Sequence, residues 1–395
     1  MIAPKWGMMT NLYQRRWRTA LAFVSLLAYA VVGSQSAQAQ TFTTLHNFTD
    51  GADGGKSTTA VIQDKSGKLY GTTDNGGSGY GVVFEVNTAG AETVLYTFTG
   101  GADGSVPVAA VLRDSKGNLY GTTFWGGAYC YCGVMFKLDT AGNETVLHSF
   151  GNSSDGAYPA QGLVMDKAGS LYGTTNGTGS GDYYGTIFKL DSAGNETILH
   201  NFAGGASDGA YPDGGHLTMD KAGNLYGLAS AGGMTGKGVL YELSKKGTFT
   251  ILHSFAGGKS DGCTPLGTAA MDKAGNFYGT TNGCGSHNYV TVWRASRGGK
   301  ETILRSFSGR DGCKPYGGVA RDSKGNLYGG TAGCGTYGTV YELSAKGKLT
   351  VLHSFSGSGG AGPLGESFPG AEGTLFGTTV GGGTYGYGTV WKYAP

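Results

Sequence analysis

Apolar and polar positions along the chain form a pattern that recurs every 48 to 54 residues. In the copy at 161–202, short runs that read as strands at 161–165, 170–175, 185–190 and 196–202, each with an apolar centre or alternation, are separated by polar, glycine-bearing segments. Asp166-Lys167-Ala168-Gly169 and Asp191-Ser192-Ala193-Gly194 have the length and composition of tight turns. In such turns Asp accepts from backbone N–H groups and Gly takes up positive φ. Residues 176–184 read as a longer Gly-rich loop. Short strands at regular spacing, bounded by Gly, Asp and Asn, predict an all-β fold of four-stranded units. Strands such as Val82-Val83-Phe84 are apolar without alternation, so both faces of each sheet must be covered by neighbours.

The phrase D-x-x-G-N-L-Y-G-T-T sets the number of units. Its aromatic position falls at Tyr70, Tyr120, Tyr172, Tyr226, Tyr278, Tyr328 and Phe376, which is seven copies. Four strands per repeat of this period select a propeller. The first strand of each unit is rich in small residues (Thr59-Ala60-Val61, Val108-Ala109-Ala110, Gly267-Thr268-Ala269-Ala270), which suits crowding toward one axis. The last copy stops after Gly388-Thr389-Val390-Trp391, without the strand that elsewhere reads T-V-L-H-S-F. That strand stands instead at 41–48, ending Leu45-His46-Asn47-Phe48. The expectation is a seven-bladed β-propeller of four-stranded blades over 40–395. Residues 41–48 complete the last blade and leave no unpaired edge between the ends.

Residues 1–39 have the features of a secretory signal peptide. Lys5, Arg15, Arg16 and Arg18 precede an apolar core at 20–32, and Ala37-Gln38-Ala39 supplies a small-x-small cleavage site. The core is too short to span a bilayer, which needs about 20 residues. Arg15-Arg16 hints at twin-arginine export, but the surrounding residues fit the general route better. Removing four cations and no acids takes the formal charge from +2 to −2. The remaining chain has no basic cluster, which excludes a nucleic-acid partner. A secreted or periplasmic monomer with no integral membrane segment is expected.

The phrases Gly117-Asn118-Leu119-Tyr120-Gly121-Thr122-Thr123 and Asn143-Glu144-Thr145-Val146-Leu147-His148-Ser149-Phe150 resemble the GloVer tandem repeat. That family comprises exported bacterial proteins with interchangeable surface anchors. The D-x-x-G-N-L-Y-x-T phrase is also similar to propeller repeats of sensor ectodomains and streptogramin-lyase-like proteins. The resemblance covers the whole mature chain and implies fold and export. It carries no catalytic motif, and no C-terminal anchor is visible here.

Six cysteines suit an oxidising compartment. Cys263 and Cys284 occupy the same two positions in the fifth copy as Cys313 and Cys334 in the sixth. One position of each pair is in the loop entering the first strand; the other is between the second and third strands. Blade topology puts those loops on one face, so disulfides Cys263–Cys284 and Cys313–Cys334 are expected. Each contributes about 3 kcal/mol in the chain-entropy model. The spacing fits a four-cysteine zinc site poorly, so no metal and no cofactor are expected. Cys130 and Cys132 could form a local disulfide, a redox pair or two free thiols.

His46, His148, His200, His253 and His353 share one place in the outermost strand and are spread around the rim, which points to a structural or surface role. The recurrent Asp residues read as turn caps. Sites are grafted onto repeats, so non-repeating residues carry more information. Aromatic rings among Asn, Asp and Gly suit sugar rings, and Trp125, Tyr129, Tyr183 and His287 are the ligand-binding candidates. Tyr80, Tyr184, Tyr337 and Tyr387 are expected to pack the repeat. Non-repeating acids are Asp74, Asp182, Asp213 and Glu366, while His216, His287 or Tyr183 could act as a lyase base. The favoured reading is a non-catalytic module recognising a cell-surface or extracellular glycan or protein. A polysaccharide lyase or glycoside hydrolase, which in the latter case needs two carboxylates at fixed separation, is the alternative. A surface structural protein stands third.

Overall fold

A computed structural model describes residues 40–395 except 152–154, 179–183, 213–214, 288, 310–311, 315, 334–335 and 371–372. The chain divides into Met1–Thr41 with Pro395, and a compact unit of Phe42–Ala394. The proposed leader therefore lies outside the described residues.

Phe42–Ala394 is a seven-bladed β-propeller. Seven antiparallel four-stranded sheets follow one another, each ordered from an inner to an outer strand. In the third blade these strands are Val164–Met165, Leu171–Thr175, Thr186–Leu190 and Glu196–Asn201. The last blade takes its outer strand from Thr41–Asn47, which lies beside Thr389–Ala394. Phe48 N–H donates to Gly388 O at 3.0 Å, as Phe98 N–H does to Gly81 O at 3.1 Å within the first blade. The borrowed strand thus repeats the bond that every outer strand makes.

The inner strands are shorter than the apolar run predicts. Only Val164–Met165 of the expected 161–165 pairs in its own sheet. The reason lies between blades: the Gln161 carbonyl accepts from Thr122 Oγ1 of the preceding blade at 3.1 Å. The first Thr of L-Y-G-T-T makes the same reach at Thr72 to Ala109 O, Thr174 to Pro212 O, Thr280 to Gly317 O and Thr378 to Thr59 O. The Thr378 bond joins the seventh blade to the first. Leu228 and Gly330 replace this Thr in the fourth and sixth blades.

Packing between blades explains why both sheet faces are apolar. The Phe closing each outer strand meets an aromatic ring of the next blade's third strand at every seam. These pairs are Phe48–Phe84, Phe98–Phe136, Phe150–Phe188, Phe202–Tyr241, Phe255–Trp293, Phe307–Tyr341 and Phe355–Trp391, with centroids 5.1–6.2 Å apart. Such pairs add roughly 0.5–1.5 kcal/mol each beyond area burial. At the axis the backbones crowd. A Cβ on Gly267 would lie 2.0 Å from Gly318 N, and one on Gly365 2.5 Å from the Thr59 carbonyl carbon. Only glycine allows the blades to meet there.

Candidate functional site

The entering loop and the loop between the second and third strands meet on one face of each blade. They bridge at Gly55 with Asn75, Ser105 with Trp125, and Ala361 with Gly381. In the third and fourth blades they form two-residue ribbons, Gly156–Ala157 with Gly177–Thr178 and Gly209–Ala210 with Ala231–Gly232. In the fifth blade the inner strand lengthens to Gly262–Met271, and the Cys263–Cys284 disulfide ties the loops, Cα atoms 5.6 Å apart. Cys313 is also disulfide-bonded. Its expected partner Cys334 lies outside the described residues. Cys130 and Cys132 are bonded to each other in a local disulfide.

A left-handed residue recurs in the entering loop: Lys56, Val106, Tyr158, Tyr211, Thr264 and Lys314, with φ of 52–60°. The seventh blade has Gly362 there, at 64°. The position bridges blades. Val106 N–H donates to Tyr80 O of the preceding blade at 2.9 Å, and its carbonyl accepts from Phe124 N at 3.0 Å. A β-branched residue in this region is strained by roughly 1–2 kcal/mol.

Thirteen large hydrophobic side chains are exposed among the described residues, and eleven of them are Tyr or Trp. All but Val351 sit in the loops of this one face. Trp125, 42% exposed, makes edge-to-face contacts with Phe124 and Tyr158 at 4.9 and 5.1 Å. Tyr129, in the same loop, lines a separate recess of about 310 Å³ with Ala128, His148 and Asp155. His287 is exposed in the fifth blade and pairs with Ser286 Oγ at 3.1 Å. Tyr183, Asp182 and Asp213 lie outside the described residues. Tyr80, Tyr184 and Tyr337 lie over Gly100, Gly204 and Gly357 of their own blades while staying about half exposed. They pack the repeat and also present a ring edge to solvent.

The inner segments enclose an axial cavity of about 480 Å³ lined by all seven blades. One repeat position, ten residues before the aromatic of the repeated phrase, is held by Ala60, Ala110, Gly162, His216, Thr268, Gly318 and Glu366, and all of these but Gly318 line the cavity. One arc is small and apolar; the other is polar and joined by hydrogen bonds. His216 Nδ1 lies 3.0 Å from Thr268 Oγ1, and Thr268 N–H donates to Glu366 Oε1 at 2.8 Å. Two non-repeating residues that the sequence singles out separately are thus brought together through a third. Near the same face, Asp74 accepts from Thr58 Oγ1 at 2.9 Å. Burial raises the Asp74 pKa to about 7, against the pull of Thr58 and Lys56.

Sequence reasoning missed a pairing at the rim. His46, His148, His200 and His253 each place Nε2 3.0–3.3 Å from the Asp of the following D-G loop, Asp53, Asp155, Asp208 and Asp261. Where Tyr96 replaces His, its hydroxyl donates to Asp103 at 3.1 Å instead. The signal was the constant spacing of seven or eight residues. Burial opposes ionisation of Asp208, but hydrogen bonds from His200, Ala203 N–H and Gly209 N–H hold its pKa below the ordinary range. The next blade adds Glu92, Glu144, Glu196 or Glu301 beside these pairs, each with a buried, unpartnered Oε1. Burial, helped by the neighbouring Asp, pushes Glu92, Glu144 and Glu301 up to about 7. At two other seams a Phe stands in place of Glu and stacks on the histidine, Phe249 on His200 and Phe42 on His353. His253, Asp261 and Glu301 bring ligand-type atoms within 4.8 Å of one another, the one such trio found among the described residues. Replacement of its members by Tyr or Phe at equivalent seams argues for packing, not cation binding.

Solved structures of other propellers are similar at low identity. The extracellular domain of the B. thetaiotaomicron protein BT4673, assigned as a one-component system, aligns with a TM-score of 0.52 and 10% identity, over 84% of this chain and 38% of that one. XC5397, a gluconolactonase from Xanthomonas campestris, gives 0.47 and 15% over 90% of each chain. TolB from Acinetobacter baumannii gives 0.44 and 14% over 73% of this chain, which spans 61% of TolB. At such identities the likeness concerns the fold alone. No curated protein matches the sequence. The profile of the Gloeobacter/Verrucomicrobia repeat matches residues 29–219, 78–293 and 265–395, nearly the whole chain. The repeated phrase, the seven blades and this match agree: the chain belongs to the Gloeobacter/Verrucomicrobia repeat family.

Proposed function

We propose that this is an exported, non-catalytic recognition propeller that binds an extracellular or cell-surface glycan through its loop face, a cell-surface protein being the other partner class. The observation that carries the reading is the confinement of exposed aromatic side chains to one face. An exposed set of rings this one-sided marks an interaction surface. Tyr and Trp offer large, stiff contact areas with a polar edge. Export is supported by the features of residues 1–39 and by the disulfides; no described helix is long and apolar enough to cross a membrane. Trp125, Tyr129, Tyr183 and His287 are the residues assigned to contact. The test applies residues 40–395 to a glycan array and follows any bound polysaccharide by product analysis. Retention without shortening is expected, and Trp125→Ala is expected to weaken it about tenfold or more. New reducing ends, or absorbance from unsaturated uronate, would favour a carbohydrate-active enzyme. The hydrogen-bonded His216, Thr268 and Glu366 are the observation behind that second reading.

A further inference from the structure

The axial cavity has a chemistry unlike the loop face. Its size, about 480 Å³, suits one small molecule and not a polymer. The wall formed by Ala60, Ala110 and Val108 is apolar, while His216, Thr268 and Glu366 form the polar arc opposite. Thr268 is only 6% exposed, and His216 Nδ1 at 3.0 Å is the partner of its hydroxyl among the described residues; we assign the tautomer in which that hydroxyl donates. The imidazole proton then sits on Nε2, which makes no protein hydrogen bond among the described residues. Glu366 Oε1 accepts from the Thr268 amide, and its Oε2 makes no hydrogen bond among the described residues. A donor and an acceptor are therefore held in one arc, facing an apolar wall.

We infer that the axial cavity is a second binding site, distinct from the loop face, for a small uncharged molecule with adjacent hydroxyl groups, of the monosaccharide class. Adjacent hydroxyls both donate and accept, so one takes the His216 Nε2–H while its neighbour donates to Glu366 Oε2. The C–H face of such a ring lies against Ala60, Ala110 and Val108. Anionic ligands are disfavoured, because no Lys or Arg is among the described lining residues to balance Glu366. Tyr316 lines the cavity and is 43% exposed on the loop side, which gives the ligand a way in.

Isothermal titration of residues 40–395 with D-glucose, D-galactose and D-mannose tests this, with D-glucuronate and D-glucosamine as charged counterparts. At least one neutral sugar is expected to bind saturably, with affinity reduced tenfold or more by Glu366→Gln and by His216→Ala and unchanged by Trp125→Ala. Glu366→Gln keeps an oxygen for the Thr268 amide and turns the other group into a donor, so it changes recognition without emptying the site. A melting curve of each variant alone separates lost binding from lost fold, and if His216→Ala unfolds, Glu366→Gln decides. The proposal is overturned if no neutral sugar binds, if D-glucosamine or D-glucuronate binds in preference, or if binding survives Glu366→Gln. Loss on Trp125→Ala alone would likewise assign the sugar to the loop face.

Discussion

At the scale of single residues, the repeat is a set of small bonds whose substitutes can be read from one blade to the next. Tyr96 does for Asp103 what His148 does for Asp155, and Phe42 and Phe249 fill the space that Glu occupies elsewhere. The acids at these seams set opposite pH dependences. Glu301 has a folded pKa of about 7, above its unfolded value near 4.5, so the folded state holds its proton more tightly. Its contribution to stability is present below the unfolded pKa and is lost as pH rises through about 7. Glu301→Gln should therefore leave the melting temperature unchanged near pH 4.5 and raise it at pH 8, as measured by differential scanning fluorimetry. Asp208 behaves conversely: its lowered pKa contributes stability above the ordinary carboxylate range that is lost as pH falls through the folded value. Backbone strain gives another prediction. Val106 holds φ at 56° where the seventh blade uses Gly362, so Val106→Gly should stabilise the fold, by up to about 1 kcal/mol in chemical denaturation once the looser unfolded chain is allowed for. The histidines and the D-G aspartates were each legible as recurrent residues. Their partnership was not, because it joins the end of one unit to the loop opening the next.

At the scale of elements, strand existence and order followed from the apolar periodicity, while the extent of the inner strand did not. Gln161 opens a run that reads as a strand and its equivalents Ala109, Gly317 and Thr59 are small, yet their carbonyls serve the neighbouring blade. Hydropathy reports burial, not the partner that does the burying. The Thr378 bond to Thr59 O is the one of these contacts that links the last blade to the first. Thr378→Val should cost about 1 kcal/mol in denaturant unfolding, with Thr122→Val, at an ordinary seam, costing the same. The borrowed outer strand matters more. Phe48 is fully buried against Phe84, so Phe48→Ala should cost about 3–5 kcal/mol. Removing residues 41–48 altogether should lower the melting temperature further still, since it also exposes the Thr389–Ala394 edge.

At the scale of the whole molecule, closure creates two surfaces that no single repeat contains. His216, Thr268 and Glu366 are 52 and 98 residues apart along the chain, and only the ring makes them neighbours. Periodicity located the blades, but residues that break the period have no sequence rule for where they meet. The one-sided distribution of exposed Tyr and Trp arises likewise, from loops that the topology gathers onto one face. The five tryptophans allow a direct reading of that face. Trp6 and Trp17 fall within 1–39, Trp293 and Trp391 are 0% and 1% exposed, and Trp125 is the remaining one, open to solvent. Emission from residues 40–395 should therefore respond to a ligand on the loop face through Trp125. The decisive measurement is a fluorescence titration with soluble dextran, laminarin, xylan and galactomannan, with reducing ends assayed in parallel. Recognition by the loop face predicts that at least one polysaccharide shifts or quenches the emission saturably, that Trp125→Phe abolishes the response, and that no new reducing ends appear. Emission unmoved by every polysaccharide, or reducing ends accumulating as it moves, would contradict the account.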